Sequence, residues 1–110
     1  MDERERKIFE ALRLGEKEME VLRSLADYIW WDPPEMTLQR PDMLIAQVMQ
    51  LGTFEDSMRL LEALGKERLR WVLEHAQAGQ FTQKPWHYWH YMVADTSVGE
   101  VPPLPVRRFS

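Results

Sequence analysis

The sequence has 110 residues, a formal net charge of −4 and no cysteine. A chain of this length forms one domain with a single core. Without cysteine there are no disulfides, thiolate metal sites or cysteine nucleophiles. No run reaches the length of a membrane span, and the charged N-terminus lacks the apolar stretch of a signal peptide, so we expect a cytoplasmic protein with no membrane contact.

Aromatic residues are abundant for a small acidic chain: five Trp, three Tyr and four Phe. Aromatic side chains supply much of the energy of cores and of protein interfaces. This content exceeds what one small core needs, so we expect some of these rings to face a partner.

The first 25 residues are predicted to form a helical extension. Ile8, Phe9 and Leu12 make a narrow apolar stripe among charges, and a helical pattern resumes over 16–28 after Gly15. The highly charged first segment fits a solvated extension, a frayed terminus or an arm for homodimerisation.

A Trp-Trp-Asp-Pro-Pro sequence interrupts the helical pattern after residue 28. The residue before a proline avoids helical geometry, so Asp32 is expected to be extended. Trp30 and Trp31 are adjacent and must point in different directions. We expect one to pack into the core and the other to cover an edge or meet a partner.

The central stretch, 51–79, is predicted to form two amphipathic helices joined at Gly65. Thr53 is the expected N-cap, with Asp56 at capping-box spacing, and Phe54 begins the apolar face of the first helix. Gly79 is expected to end the second helix. A helix-glycine-helix pair resembles a helix-turn-helix in geometry, but two ordinary core helices explain the same pattern.

Further helices are predicted over 41–51, starting at Pro41, and over 85–93, after a loop over 80–84 in which Thr82 is a plausible N-cap. No stretch alternates with period two, so no sheet is expected. The predicted fold is therefore all-α: a compact bundle of about five short helices. We expect an extension over 1–25, a core domain over 26–94 and an extended proline-rich tail over 95–110.

The tail contains Pro102-Pro-Leu-Pro-Val-Arg107, which matches a PxxPxR pattern read by SH3-type grooves. A more general interpretation is a tail that lies along a partner's groove. Leu104 and Phe109 would then be apolar anchors, and Arg107 and Arg108 would meet acidic groups. A disordered terminus explains the composition equally.

Nothing in the sequence predicts an enzyme, a metal site or a cofactor. His87 and His90 have helical spacing for one metal, but zinc needs two more ligands, and aromatic packing explains both residues. The carboxylates are not paired in apolar surroundings, as general acid–base chemistry would require.

DNA binding is the alternative function. In a recognition helix that begins at Lys66, Arg68 and Arg70 would also be available for phosphates or bases. However, 53–79 contains four basic and five acidic residues, whereas DNA readers usually carry a basic face. Nucleic acid is therefore a less favoured partner than protein.

Four groups of residues resemble a family of small bacterial all-helical proteins. They are Tyr28-Ile-Trp-Trp-Asp-Pro33, Leu44-Ile-x-x-Val-Met-x-x-Gly-Thr-Phe-Glu-Asp56, Leu60-x-x-x-x-Gly-Lys-Glu-x-x-x-x-Val-Leu73 and Thr82-x-x-x-x-x-x-Trp89. These proteins are similar to antitoxin-like partners encoded beside nucleotidyltransferase toxins of the AbiEii type. The similarity covers roughly 26–92, with Pro33-Pro34 where the family has a short acidic stretch.

The resemblance implies a non-enzymatic, antitoxin-like protein in a bacterial toxin–antitoxin system, and its implied partner is a nucleotidyltransferase-type toxin. It carries over no catalytic residue. The predicted protein-binding surface combines exposed aromatics with the tail: Trp30, Trp31, Trp86, His87, Tyr88, Tyr91, Leu104, Arg107, Arg108 and Phe109.

Overall fold

The structure, a computed structural model, describes residues 2–107; for residues 7–9 and 11 it describes the backbone alone. Seven α-helices and one 3-10 helix follow one another in the described chain. They are α1 (Glu3–Leu12), α2 (Glu16–Ser24), the 3-10 helix (Ala26–Tyr28), α3 (Pro34–Thr37), α4 (Pro41–Leu51), α5 (Phe54–Leu64), α6 (Lys66–Glu74) and α7 (Gln83–Val93). No strand occurs in this part of the chain, which confirms the all-α prediction.

The helices are more numerous than predicted, and two of them end earlier than expected. The helix expected over 16–28 ends at Ser24 and continues as the separate 3-10 helix. The helix expected to reach Gly79 ends at Glu74, because His75 caps it. The His75 ring stacks on Trp71 with centroids 3.7 Å apart, and its Nδ1 lies 2.9 Å from the Trp71 carbonyl oxygen. The same carbonyl oxygen also accepts the backbone N–H of His75 at 3.0 Å.

Local signals place the starts of the later helices correctly. The Thr53 hydroxyl accepts a hydrogen bond from the backbone N–H of Asp56 at 3.1 Å, so Thr53 is the N-cap of α5. Gly65 has a φ of 84° between α5 and α6, a backbone conformation that residues with a Cβ rarely adopt. Pro41 occupies the first turn of α4, where its missing N–H costs nothing.

One apolar core joins helices from α2 to α7. Its fully buried side chains include Leu22 of α2, Leu60 of α5 and Trp89 of α7. The Trp89 indole N–H donates to the carbonyl oxygen of Met49 at 2.8 Å, so the buried ring is also satisfied as a donor. Since Leu22 lies in this core, α2 packs together with the helices that follow it.

The N-terminal helix α1 lies against α6. The radius of gyration of the Cα atoms is 14.1 Å, near the roughly 13 Å expected for a compact domain of this length. Among the residues described, no helix is both long enough and apolar enough to cross a membrane.

Candidate interaction surfaces and an apolar cleft

Trp30 and Trp31 form the most exposed aromatic feature, which we call the tryptophan turn. Their side chains are 74% and 51% exposed, and the rings are perpendicular with centroids 4.7 Å apart. The prediction that one of them packs into the core is wrong, because the preceding Ile29 fills the inward position and is buried. Both indoles therefore remain available to a partner.

The aromatic residues of α7 divide between the core and the surface. Trp86 is buried, so the structure removes it from the predicted partner surface; its ring packs on Phe81 and His90 instead. Tyr88 and Tyr91 are exposed. His87 is half-buried, and its Nδ1 lies 2.8 Å from the Gln83 carbonyl oxygen.

The two histidines of α7 are engaged with their own helix. His90 is buried, and its Nδ1 lies 2.7 Å from the carbonyl oxygen of Trp86. Within the described residues, no group of three or more His, Cys, Asp or Glu side chains is placed to hold a metal ion.

The C-terminal segment contacts the body of the protein. The indole N–H of Trp86 donates to the Pro102 carbonyl oxygen at 2.7 Å, and Val101 and Leu104 pack against the core. Leu104 is thus half-buried against its own chain, whereas the sequence predicts it to be an apolar anchor for a partner. Arg107 is exposed. The predicted anchors Arg108 and Phe109 lie outside the described residues.

The predicted DNA-binding residues of α6 do not form a basic surface. Arg68 is buried, and its guanidinium forms an ion pair with Asp42, so it cannot reach a phosphate or a base. Arg70 donates from Nε to Glu74 at 3.0 Å on the same helix. Lys66 is exposed, but a single lysine on an acidic chain does not make a duplex-binding face.

A cleft of about 450 Å³ opens where the end of α4 and the starts of α5 and α7 meet. Its walls are mostly apolar, and Phe54 on its rim is 74% exposed although the helical pattern assigns it to an apolar face. The sequence does not predict this cleft, because its two sides lie about thirty residues apart in the chain. The lining residues are Met49, Gln50, Gly52, Phe54, Ser57, Lys84, Pro85, Tyr88 and Trp89.

Side-chain hydrogen bonds connect the two sides of the cleft. The amide of Gln50 accepts from the backbone N–H of Thr82 at 3.0 Å and donates to the Thr82 hydroxyl at 2.9 Å. These two bonds join the end of α4 to the N-cap of α7. Hydrogen bonds of the fold therefore hold the two sides of the cleft together.

Protein-family models, curated proteins and solved structures were compared with this chain, and none matches. The family resemblance therefore remains a prediction.

Proposed function

We propose that this chain is a non-enzymatic interaction module that binds another protein through the tryptophan turn, with Tyr88 and Tyr91 of α7 as further contacts. The observation that carries the proposal is the exposure of two adjacent indoles. Tryptophan and tyrosine are the residues most enriched among those that dominate binding energy at interfaces. Leaving both indoles in water is costly unless a partner covers them.

The charge near the tryptophan turn favours a partner with a basic contact face. Asp27 and Glu35 are exposed on either side of it in the chain, and Asp32 follows it directly. Arginine and lysine side chains bind well to the faces of exposed indoles, and acidic neighbours strengthen their attraction.

The family resemblance suggests which partner this is. We propose a toxin of the nucleotidyltransferase class, which the chain would neutralise as an antitoxin does. A nucleotide-handling enzyme presents basic residues around its substrate site, and this agrees with the acidic surroundings of the tryptophan turn.

Co-expression with a nucleotidyltransferase toxin from the native host tests this proposal. The tagged chain should co-purify with the toxin at near-equal amounts and relieve its growth arrest. Trp30→Ala with Trp31→Ala should weaken the complex at least about thirtyfold, since an anchoring tryptophan typically contributes 2 kcal/mol or more.

Val98→Ala is the matched control, because Val98 is an exposed apolar residue outside the proposed surface. It should leave binding unchanged, and circular dichroism should show equal helicity in all variants. Undiminished binding by the double tryptophan variant would overturn the proposed surface. A chain that recovers no toxin would overturn the antitoxin role.

A further inference from the structure

We propose that the cleft between α4, α5 and α7 binds a small organic anion with an apolar body, of the class of medium-chain carboxylates. Its volume of about 450 Å³ lies within the range of roughly 300–1,000 Å³ found for small-molecule sites. This site is separate from the tryptophan turn and does not depend on the function proposed above.

The walls of the cleft fit an apolar body. Met49, Phe54, Pro85, Tyr88 and Trp89 supply aliphatic and aromatic surface on both sides. Phe54 in particular stands mostly in water, and a ligand lying in the cleft would cover it. Removal of such a surface from water favours binding.

Ser57 supplies a hydrogen-bonding group on the wall of the cleft. The residue is only 6% exposed, and no side-chain hydrogen bond of its hydroxyl is found among the described residues. The hydroxyl oxygen is not one of the enclosed atoms of the described chain that lack a partner, so it can be reached from the cleft. A carboxylate oxygen in the cleft would accept a hydrogen bond from this hydroxyl.

The charge of the cleft selects an anion over a cation. Among the described residues that line it, Lys84 is the only charged one. The cleft also lies at the starts of α5 and α7, whose positive dipole ends favour negative charge. The first turn of α7 contains no acidic residue, and in α5 Asp56 is engaged by Tyr28 while Glu55 lies outside the lining.

Gly52 keeps the cleft open beside Ser57. A Cβ atom at this position would lie 2.4 Å from the Val48 carbonyl oxygen and 3.2 Å from the Ser57 hydroxyl oxygen. Only glycine therefore lets the chain turn from α4 into α5 this close to the hydroxyl. The serine remains accessible from the cleft although it is largely covered.

An NMR titration of the full chain with decanoate, decanol and decyltrimethylammonium tests the site, each below its micelle-forming concentration. Decanoate should bind at least about tenfold more tightly than the cation of equal chain length, because charge-assisted hydrogen bonds distinguish them. Its amide shift changes should centre on Gly52, Ser57 and Lys84. Equal affinities for the anion and the cation, or shift changes centred on Trp30 and Trp31, would overturn the proposal.

Three variants separate the parts of the site. Lys84→Gln should weaken decanoate binding about five- to tenfold and leave decanol binding nearly unchanged. Ser57→Ala should weaken decanoate binding by a similar factor and decanol binding less, because a hydrogen bond to a neutral hydroxyl is weaker than one to a carboxylate. Lys66→Gln is the control, because it removes the same charge from an exposed position outside the lining. If Lys66→Gln loses as much decanoate affinity as Lys84→Gln, the effect comes from the overall charge of the protein and the proposed site is refuted.

Discussion

Tyr28 connects the 3-10 helix to the start of α5 through one hydroxyl group. The hydroxyl donates to Asp56 Oδ2 at 2.6 Å and accepts from the Thr53 backbone N–H at 3.3 Å. The hydrogen bond to the Asp56 carboxylate, together with desolvation, raises the pKa of Tyr28 above its ordinary value of 10.0. Folding therefore favours the neutral phenol.

Because of this raised pKa, the free energy of unfolding should fall as the pH rises. The contribution of Tyr28 to it is complete below the pKa of the unfolded chain and is lost as the pH rises through the pKa of the folded protein. At pH 8, Tyr28→Phe should lower the free energy of unfolding by about 0.5–1.5 kcal/mol. Urea unfolding at increasing pH should show the two proteins converging above pH 10.0, the ordinary value. A constant difference would show that Asp56 does not govern the phenol.

Asp95 is the only described residue other than glycine with a positive φ, which is 52°. It follows the C-cap of α7, where glycine is the usual residue and where the helix dipole disfavours an acid. Asp95→Gly should therefore raise the free energy of unfolding by about 1 kcal/mol. Thermal unfolding measures this gain. Asp95→Val is the comparison variant and should lower the stability, because a β-branched side chain is strained at a positive φ.

At the scale of elements, the Arg68–Asp42 ion pair joins α6 to α4. The Arg68 side chain is buried, whereas about half of the Asp42 side chain is exposed. The Nε and Nη1 atoms of Arg68 are buried and have no hydrogen-bond partner among the described residues. The ion pair therefore offsets only part of the free energy lost in burying the guanidinium, and the effect of Arg68 on stability depends on Asp42.

Replacing Asp42 should lower the free energy of unfolding more than replacing Arg68. Asp42→Ala leaves a buried charge without its counter-ion and should lower the free energy of unfolding by about 3 kcal/mol. Arg68→Met replaces the charge by an apolar chain of similar size and should cost about 1 kcal/mol or less. In the Arg68→Met background, Asp42→Ala should lower the free energy of unfolding by only about 0.5 kcal/mol, because it then removes only the interaction of Asp42 with the dipole of α4. Denaturant unfolding of the full cycle measures the coupling, and additive losses would contradict it.

The sequence predicts helices well where a chemical signal marks their ends. Thr53, Pro41 and Gly65 each provide such a signal, and each marks a helix boundary in the structure. The ends at Ser24 and Glu74 are different, because neither proline nor glycine marks them and the apolar pattern continues past both residues. At Glu74 the next residue, His75, stacks on Trp71 four positions earlier.

The sites are harder to predict than the helices, because burial depends on the packing between elements. Nothing in the sequence near Arg68 indicates that it is buried against Asp42, twenty-six residues earlier. Similarly, Tyr88 and Trp89 are adjacent aromatic residues of α7, yet Tyr88 is exposed and Trp89 is buried. The cleft requires Gly52 and Pro85 to meet, and the spacing along the chain does not reveal this.

At the scale of the whole molecule, the C-terminal segment closes one side of the core. Val101 and Leu104 pack against the core, and the Pro102 carbonyl oxygen is the acceptor for the buried indole of Trp86. Removal of this segment would expose apolar surface and leave the Trp86 N–H to find water. The segment therefore contributes to stability whether or not a partner binds it.

Deletion of residues 101–110 should consequently lower the melting temperature, and point variants separate this structural role from the partner contact that the sequence predicts for the segment. Leu104→Ala should lower the free energy of unfolding by about 1–2 kcal/mol, since the side chain is only half-buried. This corresponds to a fall in melting temperature of roughly 4–8 °C. Arg107→Ala should leave the melting temperature unchanged, because Arg107 is exposed. If Arg107→Ala still weakens a complex that Leu104→Ala leaves intact, the segment both stabilises the fold through Leu104 and contacts the partner through its arginine.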